Sequence, residues 1–192
     1  MKTKYKCLSI QEFNSNEFSL VPIRFKDRFK IMQWRNEQIY HLRQSKTLTK
    51  QEQDGYFNTV VSSLFDHDKP EQILFSFLKN KECVGYGGLV HIDWCKKTAE
   101  ISFILNTAFE KESFIDFWLI YLNLIEEVAF KQLQLSKIFV YSYELRPQLY
   151  RVMNLARYRK EKTGGLDEVQ IINIKNEFER LEAFQKRKEY IL

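Results

Sequence analysis

Three β-rich runs lie close together in this sequence, at 72–78, 83–93 and 98–106, and only short polar segments separate them. The middle run carries glycines at 85, 87 and 88 among β-branched and aromatic residues. Parallel neighbours need a crossover of about a dozen residues or more, so connections this short predict an antiparallel meander. Any fold for the rest of the chain must be built around this three-stranded unit.

The residues before the meander predict one strand and two helices. A short apolar run at 18–23 predicts a strand, and Pro22 within it favours an edge position. Apolar residues three and four positions apart predict a helix over 24–37. Thr49 and Glu52 have the spacing of a capping box, which predicts that a second helix begins there.

The residues after the meander continue the alternation of helix and strand. A helix is predicted over 114–133, a strand over 137–143, a helix over 147–156 and a hairpin around 163–165. The charged tail at 176–190 has apolar residues on one side and predicts a terminal helix. The predicted fold class is α/β (α+β), with a mixed, mostly antiparallel sheet and helices on both faces. We assign 1–175 to one domain and 176–192 to a C-terminal helical extension.

The composition argues against several classes of function. The 30 basic and 25 acidic residues are interspersed and give a net charge of +5, so we do not expect a nucleic-acid-binding surface. The longest apolar stretch, at 114–130, is interrupted by four polar residues, and no membrane span is predicted. Sixteen Phe and ten Tyr predict an aromatic-rich core.

The cysteines and the N-terminus bear on the compartment. Cys7, Cys83 and Cys95 are widely spaced and form no CxxC pair, which is typical of neither a disulfide framework nor a zinc site. The first residues lack the apolar segment of a signal peptide. We therefore predict a cytoplasmic protein without a bound metal.

Five segments together resemble one known family in their order and spacing. These segments are 33–36, 48–53, 84–89, 99–105 and 153–158. The resemblance that they carry covers about residues 19–174 and is to the GNAT superfamily of N-acetyltransferases, closest to the branch of ribosomal-protein and aminosugar acetyltransferases. It implies a GNAT-like fold and acetyl-CoA as co-substrate.

The resemblance also implies where acetyl-CoA binds. The family's splayed strand matches 98–105, which implies that the backbone of Phe103, Ile104 and Leu105 pairs with the pantetheine arm. The following loop, 106–113, then binds the pyrophosphate through backbone N–H groups, with Lys111 and Ser113 as candidate side chains. This loop departs from the family pattern, because it contains no glycine and has two carboxylates.

Two residues are candidates for proton transfer. Glu100 lies in the middle of a strand beside apolar neighbours, so partial burial would suit it to act as a general base, directly or through water. The alternative is a carboxylate paired with Arg or Lys at the sheet surface. Tyr150 is the hydroxyl nearest the position where the family places the donor to the departing thiolate.

The candidate acceptor site has two parts. Arg35, His41 and Arg43 flank the first predicted helix, where the family binds its acceptor, and Arg suits a phosphate. His91 and Asp93 are two residues apart and would share one face of their strand, where they could relay a proton or bind a sugar. Solvated polar surfaces are the alternative for both groups.

The leading hypothesis is an acetyl-CoA-dependent N-acetyltransferase acting on a primary amine, with an amino-sugar or nucleotide-linked amino-sugar as the acceptor. A protein or peptide N-acetyltransferase is the alternative enzyme. A catalytically degenerate GNAT-like binding module is the non-enzymatic alternative. The expected partner is a small-molecule amine. A homodimer would complete the acceptor pocket if the short connection at 162–168 leaves it open.

Overall fold

The computed structural model describes residues 2–39, 42, 44–110, 113–143, 180–181 and 187–191. The strands in chain order are β1 (Phe13–Ser15), β2 (Phe18–Pro22), β3 (Ile73–Lys79), β4 (Glu82–Asp93), β5 (Thr98–Leu105), β6 (Lys137–Tyr143), β7 (Arg180–Leu181) and β8 (Arg187–Ile191). They form one sheet in the order β1-β2-β3-β4-β5-β6-β8-β7. Every neighbouring pair is antiparallel except β5 and β6, which are parallel. The mixed, mostly antiparallel sheet predicted from the sequence is confirmed.

Helical segments connect the strands. They are a 3-10 turn (Phe25–Asp27), α1 (Arg28–Glu37), α2 (Lys50–Tyr56), a π-helical turn (Phe57–Val61), α3 (Ser62–Leu64), α4 (Phe114–Glu126) and a second π-helical turn (Glu127–Gln132). α2 begins at the predicted capping box, where Thr49 Oγ1 accepts from the Glu52 amide at 3.2 Å and Glu52 Oε2 accepts from the Thr49 amide at 2.8 Å. Among these described helices, none has both the length and the apolar character needed to cross a bilayer.

The predicted meander is confirmed as β3, β4 and β5. The turn between β3 and β4 places Asn80 and Lys81 in the left-handed region, with φ of 48° and 68°. β2 is a strand as predicted, but it lies between β1 and β3, so the predicted edge position is wrong. β1 pairs only with Phe18–Leu20, so Pro22 lies beyond that ladder, where its missing N–H costs no bond to β1.

The two faces of the sheet pack against different helices. Phe103 on β5 turns toward α4, where its ring centroid lies 4.2 Å from that of Tyr121 and 5.5 Å from that of Trp118. The neighbouring Ser102 turns to the opposite face, toward α1 and α2. Period-2 alternation along β5 therefore separates an aromatic core from a more polar layer. The aromatic-rich core predicted from the composition is confirmed on the α4 side.

The C-terminal residues correct the predicted terminal helix. Residues 180–181 and 187–191 are strands, and β8 pairs antiparallel with β6 from Phe139↔Ile191 to Tyr143↔Arg187. The backbone groups along β6 offer this segment a ladder, which outweighs its weak helical pattern. The predicted helix at 147–156, the hairpin around 163–165 and the domain boundary at 175/176 lie outside the described residues.

Gly87 has a packing role that can be tested. A methyl group on Gly87 would collide with the carbonyl oxygen of Ser102 and the hydroxyl of Tyr121. The Tyr121 hydroxyl donates to that carbonyl at 2.8 Å, so neither atom can move away without losing the bond. Gly87→Ala should therefore lower the free energy of unfolding by about 1–3 kcal/mol, measured by urea denaturation.

Gly55 is the matched control, because it lies in α2 and a methyl group added to it would meet no atom within 4 Å. Gly55→Ala should raise the free energy of unfolding by about 0.5–1 kcal/mol, since alanine is the better helix former. Equal effects of the two substitutions would contradict the close approach at Gly87.

Candidate active site

The pairing between β5 and β6 is short. It joins Thr98–Glu100 to Lys137–Phe139, and from Phe139 onward β6 pairs with β8. The part of β5 after Glu100 keeps β4 on one side, and no described strand pairs with its other side. A sheet edge therefore opens in the middle of the fold, immediately after Glu100.

The orientation of the β5 backbone shows which residues face this open edge. A Cβ on Gly85 would lie 2.8 Å from the Ile104 carbonyl oxygen, so that carbonyl points at β4. The Ser102 carbonyl points at β4 in the same way. Peptide groups alternate in direction along a strand, so those of Phe103 and Leu105 point to the open edge.

One of these edge groups already has a partner. The Leu105 carbonyl accepts from Nε2 of the buried Gln38 at 2.8 Å, which ties the end of α1 to the end of β5. The peptide groups of Phe103 lie at the centre of the part of the open edge that has no such partner. Coenzyme pairing along 103–105 stays a prediction, and the geometry directs it to Phe103 and away from Ile104.

A cavity of about 260 Å³ lies between α1, α2 and the face of the sheet opposite α4. Its apolar walls come from both helices and from β3 and β4. Its polar groups include two tyrosines, two glutamines, one arginine and one glutamate. The lining residues are Ile23, Ile31, Arg35, Leu48, Glu52, Gln53, Tyr56, Phe57, Gln72, Leu74, Tyr86, Val90 and Ser102.

Arg35 supplies a fixed positive charge to the cavity wall. Its Nη1 donates to the Tyr86 hydroxyl at 2.7 Å and its Nε donates to Gln44 Oε1 at 3.0 Å. Gln44 is held in turn by Asn36, whose Oδ1 accepts from Gln44 Nε2 at 3.1 Å. The interaction with Tyr86 raises the pKa of Arg35 above its ordinary value, so the guanidinium stays charged. Of the predicted acceptor residues that the structure describes, Arg35 lines the cavity, whereas His91 and Asp93 do not.

The carboxylate of Glu52 is already engaged at the start of α2. It accepts from Lys46 Nζ at 2.7 Å and from the Thr49 amide and hydroxyl. The hydrogen bond from Lys46 is the main cause that lowers the pKa of Glu52 to about 2, and the Thr49 bonds add to it. The residue stays ionised, but Lys46 offsets its charge.

Glu100 lies where the open edge meets the cavity. Its cross-strand partner Val90 and its same-face neighbour Ser102 both line the cavity, and the β6 pairing ends at Glu100 itself. The residue is only 8% exposed. Its Oε2 lies 3.8 Å from Nε2 of His91. Glu100 is therefore a buried carboxylate that neighbours two cavity-lining residues and ends the β5–β6 ladder.

His91 and Asp93 do not have the simple arrangement expected from their spacing. The β4–β5 register shifts between Val90 and Asp93, and His91 has a φ of 50°. Asp93 Oδ1 accepts from the amides of Cys95 at 3.0 Å and Lys96 at 2.9 Å. These bonds, that from Lys96 first, lower the pKa of Asp93. Asp93 thus stabilises the turn, and the bulge breaks the alternation that would place both residues on one face.

The loop after β5 leads into α4. Asn106 Oδ1 accepts from the Ala108 amide at 3.1 Å and so holds a 3-10 turn over Thr107–Phe109. Burial raises the pKa of Glu110, which disfavours its charged form. Ser113 is the N-cap of α4 and its side chain makes no capping bond, so it lies at the helix terminus where a phosphate would bind.

Four predicted site residues, His41, Arg43, Lys111 and Tyr150, lie outside the described residues. The cavity residues Tyr86, Tyr56 and Ser102 were not predicted. The sequence offers a signal for Ser102, which shares the face of Glu100 on β5, whereas Tyr86 comes to the cavity through the β4–β5 register, opposite Ile104. No cluster of His, Cys, Asp and Glu suited to a metal ion occurs in the described part of the chain.

Solved structures with the same fold include an acetyltransferase. The spermidine N-acetyltransferase from Vibrio cholerae, in complex with CoA and spermine, superposes with a TM-score of 0.69 at 16% identity, covering 93% of this chain and 96% of that chain. A dodecameric structure of the spermidine N-acetyltransferase from the same organism gives a TM-score of 0.63 at 13% identity, covering 93% and 94%. At these identities the likeness is one of fold.

Sequence comparisons identify the family. Among curated proteins, none matches this sequence. Residues 151–192 match the model of the Tex-like protein N-terminal domain. Residues 20–141, more than half of the chain, match the model of the acetyltransferase (GNAT) domain. The chain therefore belongs to the GNAT family and is an N-acetyltransferase that uses acetyl-CoA.

Proposed function

We propose that the chain acetylates a primary amine on a small molecule that also carries an anionic group, with an amino-sugar or nucleotide-linked amino-sugar as the acceptor. This would place it in the aminosugar branch of the family. The observation that carries the proposal is the charged guanidinium of Arg35, fixed by Tyr86 in the wall of a cavity that Val90, the cross-strand partner of Glu100, also lines. A guanidinium binds phosphate or carboxylate through paired hydrogen bonds.

The donor side of the reaction fits the open edge of β5. Acetyl-CoA supplies the acetyl thioester, and its pantetheine amides require strand-like partners, which the backbone of Phe103 offers. Ser113 at the start of α4 offers a helix terminus for the pyrophosphate.

Glu100 acts as the general base in this proposal. An acceptor amine is protonated in water, and it must lose a proton before its nitrogen can attack the thioester carbonyl. Glu100 ends the β5–β6 ladder, and its cross-strand partner Val90 lines the cavity, which supports a role for its carboxylate in taking that proton as the nitrogen turns to the carbonyl. Tyr150 is assigned as the proton donor to the departing thiolate on the family resemblance alone.

The cavity limits the size and charge of what enters it. Its volume of about 260 Å³ suits the amine-bearing part of an acceptor, and a nucleotide would remain outside. A second positive charge about 4 Å from Arg35 would meet a repulsion of about 4 kcal/mol at an effective dielectric of about 20. The Glu52 carboxylate offers little compensation, since Lys46 already pairs with it.

A polyamine is the second candidate acceptor. The observation that favours it is the shared fold with a spermidine N-acetyltransferase that was crystallised with spermine. A further dodecameric structure of that kind also raises the proposal that this chain assembles with copies of itself. A protein amine remains the third candidate. The absence of glycine from the loop at 106–113 would favour the non-enzymatic alternative, a GNAT-like module that binds its ligand without catalysing acetyl transfer.

An acceptor panel with an Arg35 variant tests the proposal. Thiol release should be faster with amino-sugar phosphates or nucleotide-linked amino-sugars than with spermidine or peptides. Arg35→Met should raise the KM for these anionic acceptors by about 10- to 100-fold, because a hydrogen bond to a charged group is lost, and leave acetyl-CoA binding unchanged. Lys30→Met, on the exposed side of the same helix, is the control. Faster turnover of spermidine would favour the second candidate.

Substitution of Glu100 tests the base. Glu100→Gln should slow the single-turnover rate of acetyl transfer by about 10²- to 10⁴-fold near neutral pH, without changing the Kd for acetyl-CoA. The loss should shrink as the pH rises toward the pKa of the acceptor amine, since more amine is then already neutral. Glu82→Gln, an exposed carboxylate at the start of β4, should behave as the wild type. A Glu100→Gln variant with the wild-type rate and pH profile would rule out this assignment.

A further inference from the structure

The contact between His91 and Glu100 exists only because β4 is irregular. Val90 is the cross-strand partner of Glu100, so these two side chains share a face of the sheet. In a regular strand the next residue, His91, would point to the other face. Its Nε2 nevertheless lies 3.8 Å from Glu100 Oε2. The bulge after Val90 therefore turns the His91 ring onto the face of Glu100.

The bulge after Val90 strains the backbone of His91. Its φ of 50° lies in the left-handed region, which costs a residue with a side chain about 1–2 kcal/mol. Strain of this kind persists where the surrounding structure imposes it, and it concentrates at functional sites. The β4–β5 ladder on both sides of the bulge, at Val90↔Glu100 and Asp93↔Thr98, imposes it here.

The two side chains differ sharply in their exposure. The Glu100 side chain is 11% exposed, and that of His91 is 66% exposed. The pair therefore joins a carboxylate that is screened from water to an imidazole that is in contact with it. A base buried in this way has to pass its proton to solvent before the next turnover, and a nearby exposed imidazole provides the route.

We propose that His91 is the proton-relay residue of this site and carries the proton from Glu100 to solvent. This inference rests on the proposed function, in which Glu100 takes a proton from the acceptor amine. The Glu100 carboxyl group then gives that proton to Nε2 of the neutral His91 ring, and the ring turns to solvent and releases the same proton from Nε2 to water. Glu100 returns to the carboxylate, and His91 returns to a neutral ring.

The distance fits a relay better than a static ion pair. At 3.8 Å the two atoms lie beyond hydrogen-bond length, so transfer needs a small approach of the ring or one bridging water. An exposed side chain changes rotamer within picoseconds to nanoseconds, so the ring can turn between Glu100 and solvent. The other charged groups on the adjoining elements include Asp93, held by the turn amides and 3.5 Å from Lys96 Nζ, and Lys137 on β6, in register with Thr98.

Chemical rescue tests the relay. His91→Ala should slow steady-state turnover by about 10- to 100-fold, and added imidazole should restore most of it, while the single-turnover rate of acetyl transfer stays close to that of the wild type. The Kd for acetyl-CoA should not change. His67→Ala, which removes an exposed histidine in the loop before β3, should match the wild type with and without imidazole. A purely structural role for His91 would give a loss that imidazole cannot restore.

Glu100→Gln separates failure of the relay from failure of the base. If Glu100→Gln has a slow single-turnover rate while His91→Ala keeps the wild-type steady-state rate, the relay is wrong and the base assignment stands. If Glu100→Gln keeps the wild-type rate, the base assignment is wrong and the relay falls with it. If both are correct, adding His91→Ala to Glu100→Gln should cause no further loss, because the relay has no proton to carry.

Discussion

Three cross-strand pairs between β5 and β6 are the constraint on which the rest of the site depends. A longer parallel ladder would close the edge of β5 and leave its peptide groups without access to a ligand. The ladder stops at Glu100, while on the other edge of β6 the pairing with β8 continues from Phe139 to Tyr143 and keeps that part of β6 within the sheet. The opening thus follows from strand pairing and needs no break in the chain.

The other side of β5 is held firmly, so the opening is one-sided. Gly87 lets β4 approach until the Tyr121 hydroxyl reaches the Ser102 carbonyl, and the aromatic rings beneath α4 pack against Phe103. Gln38 fixes the end of β5 to α1. A rigid strand with one open edge is the support that a positioned thioester requires, because small misplacements slow a reaction strongly. Glu100 lies at the point where this edge, the cavity and the bulge of β4 meet.

The sequence predicted the parts of the fold that depend on local rules. The meander follows from short connections, and the start of α2 follows from Thr49 and Glu52. The terminal strand β8 was missed, because a partner strand rather than local propensity decides its conformation. β1 has three residues, too few for a periodic pattern. The bulge at His91 could not be predicted for a different reason. Glycine usually occupies a position with left-handed backbone conformation, but here the residue is histidine. Glu100 and Arg35 were nominated from the sequence, while Tyr86 needed the tertiary arrangement.

Amide hydrogen exchange of β5, resolved by NMR with and without acetyl-CoA, is the most direct test of the open edge. The peptide groups of Ser102 and Ile104 already point to β4, so their exchange should change little on binding. The Phe103 amide points to the open edge and should exchange more slowly once acetyl-CoA is bound. Protection of Ser102 and Ile104 without Phe103, or protection confined to residues remote from β5, would contradict the account.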